Sequence, residues 1–131
     1  MRYVLLDRIT HLAPPELARG IKCVMPGALI VESMAQLAGV LLEQTMRLRG
    51  RADLHALLTM IDRCKFRQLV RPGDRLELEA RVMAVTEDGG KARVSARGDG
   101  GLAAEAELMF AFAVVTNPVV LARRREFLDI W

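Results

Sequence analysis

The chain has 131 residues, of which 52% are hydrophobic and 27% charged, and its net charge is +3. This composition excludes a disordered chain and suffices for one continuous core, so we expect a single domain over residues 1–131. Basic and acidic residues are interspersed, without a basic stripe or interleaved aromatics, which argues against nucleic-acid binding. No apolar stretch could cross a bilayer and no targeting segment is recognisable, so we expect a cytoplasmic protein without a membrane partner.

The two cysteines, Cys23 and Cys64, lie far apart in the sequence. They have neither the paired spacing of a zinc site nor the density of a disulfide framework. We therefore predict two reduced structural thiols and no metal site.

The first predicted elements are two extended segments, residues 3–12 and 19–24. The residues between them include Pro14 and Pro15, and consecutive prolines prevent regular pairing within a sheet. A turn is therefore predicted between the two segments.

The next predicted element is a long helix over residues 28–49. This stretch contains no proline and is rich in Leu, Ala, Met, Glu and Gln, which favour helix formation. Pro26 lies where a helix can begin, and Gly50 is placed to end it. Because the first four turns are apolar on almost every side, the helix must be wrapped by another element.

The rest of the chain is predicted to supply that wrapping as strands. Apolar and charged residues alternate in residues 76–82 and 102–112, so one sheet face is apolar and the other solvated. Short turns rich in Gly and Asp make the last strands an antiparallel meander. One helix against one curved antiparallel sheet is an α+β fold. The predicted strands are residues 55–66, 75–86, 91–97 and 102–116, and residues 117–131 are predicted to form a helical C-terminal extension.

Glu32 is the residue in the apolar helix that suggests chemistry. Burying an unpaired carboxylate is costly and usually raises its pKa toward the range useful for proton transfer. Gln36 lies one turn later on the same face, and the backbone amides around Gly27 lie at the positive end of the helix dipole. An equally open alternative is that Glu32 reaches a gap at the edge of the sheet or pairs with an arginine.

The two histidines give no second candidate for catalysis. His11 and His55 both lie in predicted strands. A lone histidine in such a position is more often structural or exposed, so neither is predicted to act as a base.

Several motifs resemble those of the bacterial 3-hydroxyacyl-[acyl-carrier-protein] dehydratases. Residues 25–36, MPGALIVESMAQ, resemble the central-helix motif of that family, in which MPG precedes the catalytic acidic residue and an MAQ-like triplet. KFR at residues 65–67 with VRPGD at residues 70–74 resembles the second motif, and AEAEL at residues 104–108 resembles the last strand. LLDR at residues 5–8 also matches, so the resemblance extends to about residue 116.

This resemblance implies a fold, an assembly and a site. The fold is a hot dog, in which two protomers join their sheets and two active sites form across the interface. Glu32 is then the catalytic carboxylate, the Gly27 amide polarises the thioester carbonyl, and Gln36 supports Glu32. Phe66, in the second motif, is implied to bind substrate.

The implied reaction is the removal of water from a 3-hydroxyacyl thioester to form a trans-2-enoyl thioester in fatty-acid-type biosynthesis. The implied partners are an acyl carrier protein, whose phosphopantetheine arm carries the substrate, and further copies of the chain in a homodimer or an oligomer of dimers. No metal or redox cofactor is expected, because the thioester already acidifies the proton to be removed.

One departure from the family concerns its catalytic histidine, which lies in a loop before MPG. Here Val24 is followed directly by Met25. Three interpretations are open. In the first, the loop belongs to the protein but is omitted from these 131 residues. In the second, the chain is a non-catalytic hot-dog subunit that binds acyl chains or a partner, and in the third, Glu32 alone activates water in an acyl-thioester hydrolase. We favour the first interpretation, because the helix start and Glu32 keep the dehydratase pattern.

Overall fold

The structure, a computed structural model, describes residues 6–23, 28–119 and 122. Each predicted strand and the predicted helix correspond to an observed element. The first strand was predicted from residue 3, and among the described residues it begins at Arg8, whereas residues 3–5 lie outside the described ranges. The elements in chain order are β1 (Arg8–Ala13), β2 (Leu17–Cys23), α1 (Ala28–Leu48), β3 (Leu54–Phe66), β4 (Arg75–Val85), β5 (Gly89–Gly98) and β6 (Gly101–Val114).

The six strands form one antiparallel sheet in the order β1-β2-β4-β5-β6-β3. Strands β4, β5 and β6 are the predicted meander. Strand β3 precedes β4 in the chain but pairs with β6 on the far side of the meander. Strands β1 and β3 are therefore the two edges of the sheet.

The hydrophobic core lies between α1 and one face of the sheet. On β4, Leu76 and Leu78 are buried, whereas Glu77 between them is exposed, so the alternation seen in the sequence selects the face that covers the helix. Residues from several sides of α1 are buried, which confirms that the sheet wraps the helix and that the fold is an α+β hot dog. The largest fully buried side chains include Leu6, Met34, Leu37, Leu41, Leu42, Met46, Leu76, Leu78 and Leu108.

The end of α1 follows the sequence prediction. Gly50 has a φ of +82°, a left-handed backbone conformation that glycine adopts without steric penalty. The chain then turns and enters β3 four residues later, at Leu54. Consequently β3 returns alongside α1 toward the start of the helix.

Only the beginning of the predicted C-terminal helix is described. Pro118, Val119 and Ala122 are helical, and the other residues of that prediction lie outside the described ranges. The assignment of one domain to residues 1–131 therefore stays a prediction. Within the described ranges, no helix is both long enough and apolar enough to span a membrane.

Candidate active site

One face of α1 is left uncovered by the sheet. Leu29, Glu32, Gln36, Gly39 and Glu43 follow one another at intervals of three or four residues and so lie on one face of the helix. All five are exposed or half-buried, whereas every residue between them is buried. We call these five residues the open helix face, and both site residues predicted within α1 belong to it.

Glu32 lies near the start of the open helix face and is exposed. The side-chain amide of Gln36 donates to Glu32, with Nε2 3.5 Å from Oε1. Oε1 of Gln36 in turn accepts a hydrogen bond of 3.4 Å from the backbone N–H of Leu6. The structure thus brings Glu32 and Gln36 together. Of the two placements that the sequence left open for Glu32, burial does not hold in the single chain, because the sheet covers the other sides of the helix.

The other two predicted site residues are placed differently. Gly27 lies outside the described residues, so the role of its amide stays a prediction. Phe66 is the last residue of β3, opposite Ala104 of β6, and 52% of its surface is exposed. Because β3 returns alongside α1, Phe66 lies toward the end of the helix that carries Glu32.

The histidines are held away from Glu32. His55 lies at the start of β3, and its Nδ1 is 2.6 Å from Oε1 of Glu43, near the other end of the open helix face. His11 is exposed on the edge strand β1, where its Cα partner is Arg19 of β2. This placement fits the prediction that neither histidine is the base of the site.

A partly buried ion pair that we did not predict from the sequence lies next in the chain to Leu6. Lys22 is only 7% exposed, and its Nζ is 3.1 Å from Oδ1 of Asp7. Asp7 directly follows Leu6, whose amide binds Gln36. The sequence contained a signal for this placement. Lys22 follows Ala18 by four residues, so both side chains point to the same face of β2, and Ala18 is buried in the core.

The opposite, outer face of the sheet carries ion pairs. Glu107 of β6 is 2.9 Å from Nζ of Lys91 and 3.1 Å from a guanidinium nitrogen of Arg93, both on β5. The hydrogen bond from Lys91, and to a smaller extent the one from Arg93, holds the pKa of Glu107 below its usual range. This face is therefore a network of charges rather than an apolar surface.

Two open grooves lie on the outer face, with volumes of about 510 and 320 Å³. Charged side chains line much of both grooves, and neither is lined by Glu32, Gln36 or Phe66. Binding sites for small molecules are mostly apolar. These grooves are therefore poor candidates for an acyl chain.

The cysteines and acidic residues form no metal site within the described part of the chain. Cys64 is free and exposed, whereas the side chain of Cys23 lies outside the described part of the structure. Among the residues described, no three His, Cys, Asp or Glu side chains form a group that could hold a metal ion.

The fold and the open helix face define a class, namely hot-dog proteins that present a helix carboxylate beside an antiparallel sheet. A family model described as a FabA-like domain matches residues 20–110, which is more than half of the chain. The chain therefore belongs to the FabA-like family.

Two curated relatives illustrate this membership. The 3-hydroxyacyl-[acyl-carrier-protein] dehydratase FabZ of Geobacillus thermodenitrificans is 38% identical over 125 aligned positions, which cover 83% of this chain and 84% of the relative. The protein of the same name from Chlamydia pneumoniae is 48% identical over 88 residues, which cover 67% of this chain and 57% of the relative.

Solved structures share the fold at low sequence identity. A Streptococcus mutans protein bound to acetyl CoA has a TM-score of 0.72 and 12% identity, covering 89% of this chain and 96% of that chain. A chain of the dehydratase heterocomplex ApeI:P from Xenorhabdus doucetiae has a TM-score of 0.71 and 18% identity, covering 92% of this chain and 88% of its own. Such similarities establish the fold alone.

This chain is shorter than the Geobacillus relative within the region that the two proteins share. The 125 positions aligned with the Geobacillus relative cover 83% of 131 residues, or about 109, so about 16 positions of the relative have no counterpart here. In the sequence Val24 is followed directly by Met25, at a junction outside the described residues. The interpretation that the histidine loop belongs to the protein therefore stays a prediction, and the histidines of the 131 residues are His11 and His55.

Proposed function

We propose that this protein converts 3-hydroxyacyl-[acyl-carrier-protein] thioesters to trans-2-enoyl thioesters in fatty-acid-type biosynthesis. The observation that carries the proposal is the exposed Glu32 on the open helix face, hydrogen-bonded by Gln36. Membership of the FabA-like family and the dehydratase relatives support the reaction type. The substrate lies along the open helix face, with its thioester at the end that carries Glu32.

Glu32 acts as the general base in this proposal. The thioester makes the proton on C2 of the substrate acidic, and a positioned carboxylate removes it. Gln36 holds the carboxylate through its side-chain amide. The backbone amide of Gly27 donates to the thioester oxygen as negative charge develops there. No metal or redox cofactor takes part, because the thioester itself accommodates the electrons of the broken C–H bond.

We propose a homodimer formed through the edge strand β3. Every residue from 57 to 66 is exposed in the single chain, although the strand carries many apolar side chains. A long, exposed apolar edge offers both unpaired backbone groups and a hydrophobic surface, and it is stabilised by pairing with another strand. In the dimer Phe66 supplies apolar surface for the acyl chain. The exposed large apolar residues of β3 are Leu57, Leu58, Met60, Ile61 and Phe66.

The proposed partner in the reaction is an acyl carrier protein that presents the substrate on its phosphopantetheine arm, and the proposed compartment is the cytoplasm. Support comes from the names of the relatives, which include the carrier protein in the substrate.

Because these 131 residues contain no counterpart of the loop histidine, two other functions are tested alongside dehydration. Among the described residues, His55 bonds to Glu43 and His11 lies on β1, so neither pairs with Glu32. The first alternative is an acyl-thioester hydrolase in which Glu32 activates water. The second is a non-catalytic subunit that binds acyl chains.

One experiment separates the three functions. Purified protein is supplied with a 3-hydroxyacyl thioester of acyl carrier protein, and both the enoyl product and free thiol are measured. A dehydratase forms the enoyl thioester, a hydrolase releases free thiol, and a non-catalytic subunit does neither.

Two variants assign the activity to the site. Glu32→Gln should abolish enoyl formation without a change in melting temperature. Glu87→Gln, which alters an exposed glutamate in the turn before β5, should retain full activity. Retained dehydration by Glu32→Gln would show that Glu32 is not the base.

A further inference from the structure

Glu43 lies at the far end of the open helix face from Glu32. It follows Glu32 by eleven residues, which is about three turns of an α-helix, so the two side chains lie almost in line along the helix axis. Their spacing along that axis is about 16 Å, at about 1.5 Å per residue. A substrate whose thioester lies at Glu32 and whose acyl chain follows the open helix face therefore points toward Glu43.

The side chain of Glu43 bridges the helix and the edge strand at that end. Its Oε1 lies 2.6 Å from Nδ1 of His55 and accepts a hydrogen bond of 2.9 Å from the backbone N–H of Ala56, both in β3. The side chain thus extends from α1 to β3 across the space between them. Only 13% of it is exposed, whereas 35% of the His55 side chain is exposed. This polar contact therefore closes the far end of the open helix face.

The part of the open helix face between the two glutamates has a depression at Gly39. Gln36 directs its side-chain amide back toward Glu32. Among the described residues, a Cβ atom on Gly39 would have only Cε1 of Phe110 within 4 Å, at 3.8 Å. A hydrocarbon chain can therefore lie at Gly39 against the helix backbone and beside a phenyl ring.

The closed end differs from this depression in its chemistry. Hydrocarbon gains free energy only where it moves from water to apolar surroundings. A terminal methyl group in contact with Glu43 and His55 meets polar atoms instead. The pair cannot move aside without giving up the hydrogen bonds that it makes with itself and with Ala56. It therefore limits an acyl chain both by its position and by its polarity.

The spacing of the two glutamates sets the number of carbons. An extended chain of single bonds advances about 1.2 Å per bond, as an extended polypeptide does. Contact between the last methyl group and Glu43 takes about 4 Å of the roughly 16 Å along the helix. The remaining length accommodates about ten carbons beyond C2 of the substrate, or a chain of about twelve carbons in all.

We propose that the Glu43–His55 pair closes the far end of the acyl site and restricts this protein to acyl chains of up to about twelve carbons. This assignment rests on the proposed function and adds the length of the substrate to it. Glu43 and His55 determine specificity without taking part in the reaction, because they lie about three helical turns from Glu32.

The first test is the dependence of turnover on chain length. Thioesters of acyl carrier protein with 3-hydroxyacyl chains of four, eight, twelve and sixteen carbons are compared by kcat/KM for the enoyl product. In the wild-type protein kcat/KM should fall about 10-fold or more between twelve and sixteen carbons, because the longer chain no longer fits. A kcat/KM that is as high with sixteen carbons as with twelve would show that the site has no closed end.

Variants of the pair should extend the range of chain lengths. Glu43→Ala/His55→Ala removes both side chains, so the ratio of kcat/KM for sixteen carbons to that for four carbons should rise about 10-fold or more. His55→Ala keeps the hydrogen bond from Ala56 to Glu43 and should shift the ratio in the same direction by less. Each ratio is taken within one variant, so a loss of folded protein cancels.

A variant of the depression should shorten the range instead. Gly39→Leu places a side chain about one turn before Glu43, so the ratio of kcat/KM for twelve carbons to that for four should fall about 10-fold or more. Asp53→Ala is the control for all these variants. It breaks the ion pair with Arg51 in the turn after α1, away from the open helix face, and should keep the wild-type ratios.

Binding separates this assignment from the proposed reaction. S-alkyl thioethers of coenzyme A with the same four chain lengths carry the phosphopantetheine arm but cannot react, and calorimetric titration gives their Kd. The wild-type protein should bind the hexadecyl thioether no more tightly than the dodecyl thioether. Glu43→Ala/His55→Ala should bind it about 10-fold or more tightly than the dodecyl thioether, because further methylene groups are buried. If this pattern is found but no enoyl product forms, the proposed function fails and the length limit stands.

Three outcomes overturn the assignment. If removal of the pair leaves the preference for chain length unchanged, the limit lies elsewhere in the protein. If Gly39→Leu keeps the wild-type preference, the acyl chain does not follow the open helix face. If the wild-type protein binds none of the four thioethers, the open helix face is not an acyl site.

Discussion

Oε1 of Glu43 lies 2.6 Å from Nδ1 of His55 and joins the second half of α1 to the first residues of β3. The same oxygen accepts a hydrogen bond of 2.9 Å from the backbone N–H of Ala56. The side chain of Glu43 is only 13% exposed, so the contact is shielded from water. This contact attaches the edge strand to the helix.

Replacement of this carboxylate is expected to destabilise the protein. Glu43→Ala leaves the N–H of Ala56 and the ring of His55 without their acceptor, which should lower the free energy of unfolding by about 1–3 kcal/mol. Urea unfolding monitored by circular dichroism measures the change. Glu87→Ala, at an exposed turn, should stay within about 0.5 kcal/mol of wild type. Equal effects of the two variants would contradict a structural role for Glu43.

Two glycines are expected to respond oppositely to alanine. A Cβ atom on Gly39 in α1 would meet only Cε1 of Phe110, at 3.8 Å, which is ordinary contact. Gly39→Ala should therefore stabilise the protein by up to about 1 kcal/mol, because alanine favours the helix. A Cβ atom on Gly89 would collide with the backbone oxygen of Phe110, which cannot move away easily, so Gly89→Ala should lower the melting temperature. A loss of stability in Gly39→Ala would contradict this view of the helix.

The ion pairs of Glu107 predict a loss of stability in acid. Hydrogen bonds from Lys91 and Arg93 lower the pKa of Glu107 in the folded protein. Its stabilising contribution is therefore fully present above the pKa of an unfolded glutamate, about 4.3, and is lost as the pH falls through the lower, folded value. Urea unfolding from pH 7 down to about pH 3 measures this dependence.

The matching variant isolates the contribution of that carboxylate. Glu107→Gln should reduce the slope of unfolding free energy against pH in the acid range, since the substituted side chain no longer titrates. Glu77→Gln, at an exposed position of β4, serves as the control. An unchanged slope in Glu107→Gln would show that other carboxylates cause the acid sensitivity.

The proposed dimer predicts that a charge on β3 separates the protomers. Ile61 is 49% exposed in the single chain. Ile61→Lys should convert the dimer to a monomer, because two lysine ammonium groups would then be buried near each other in the interface. Sedimentation equilibrium measures the mass. Met83→Lys, at a similarly exposed apolar position of β4, should remain dimeric. A monomeric wild-type protein would refute pairing through β3.

The sequence by itself determined the identity and nearly all the bounds of the elements. Alternation in residues such as Leu76 and Glu77, and the glycine at position 50, depend on neighbours close in the chain, so local pattern is sufficient. Strand order was not accessible in the same way. That β3 pairs with β6 instead of β4 depends on how distant segments pack together, and no local pattern encodes it.

The same division applies to the candidate site. The spacing of Glu32 and Gln36 along a helix is sufficient to place both on one face, and the motif around them indicates the family. Only the tertiary structure decided that Glu32 is exposed and that Lys22 is buried against Asp7. The physical reason is that burial depends on which face of the helix the sheet leaves uncovered, and ion pairs depend on which separate segments meet there.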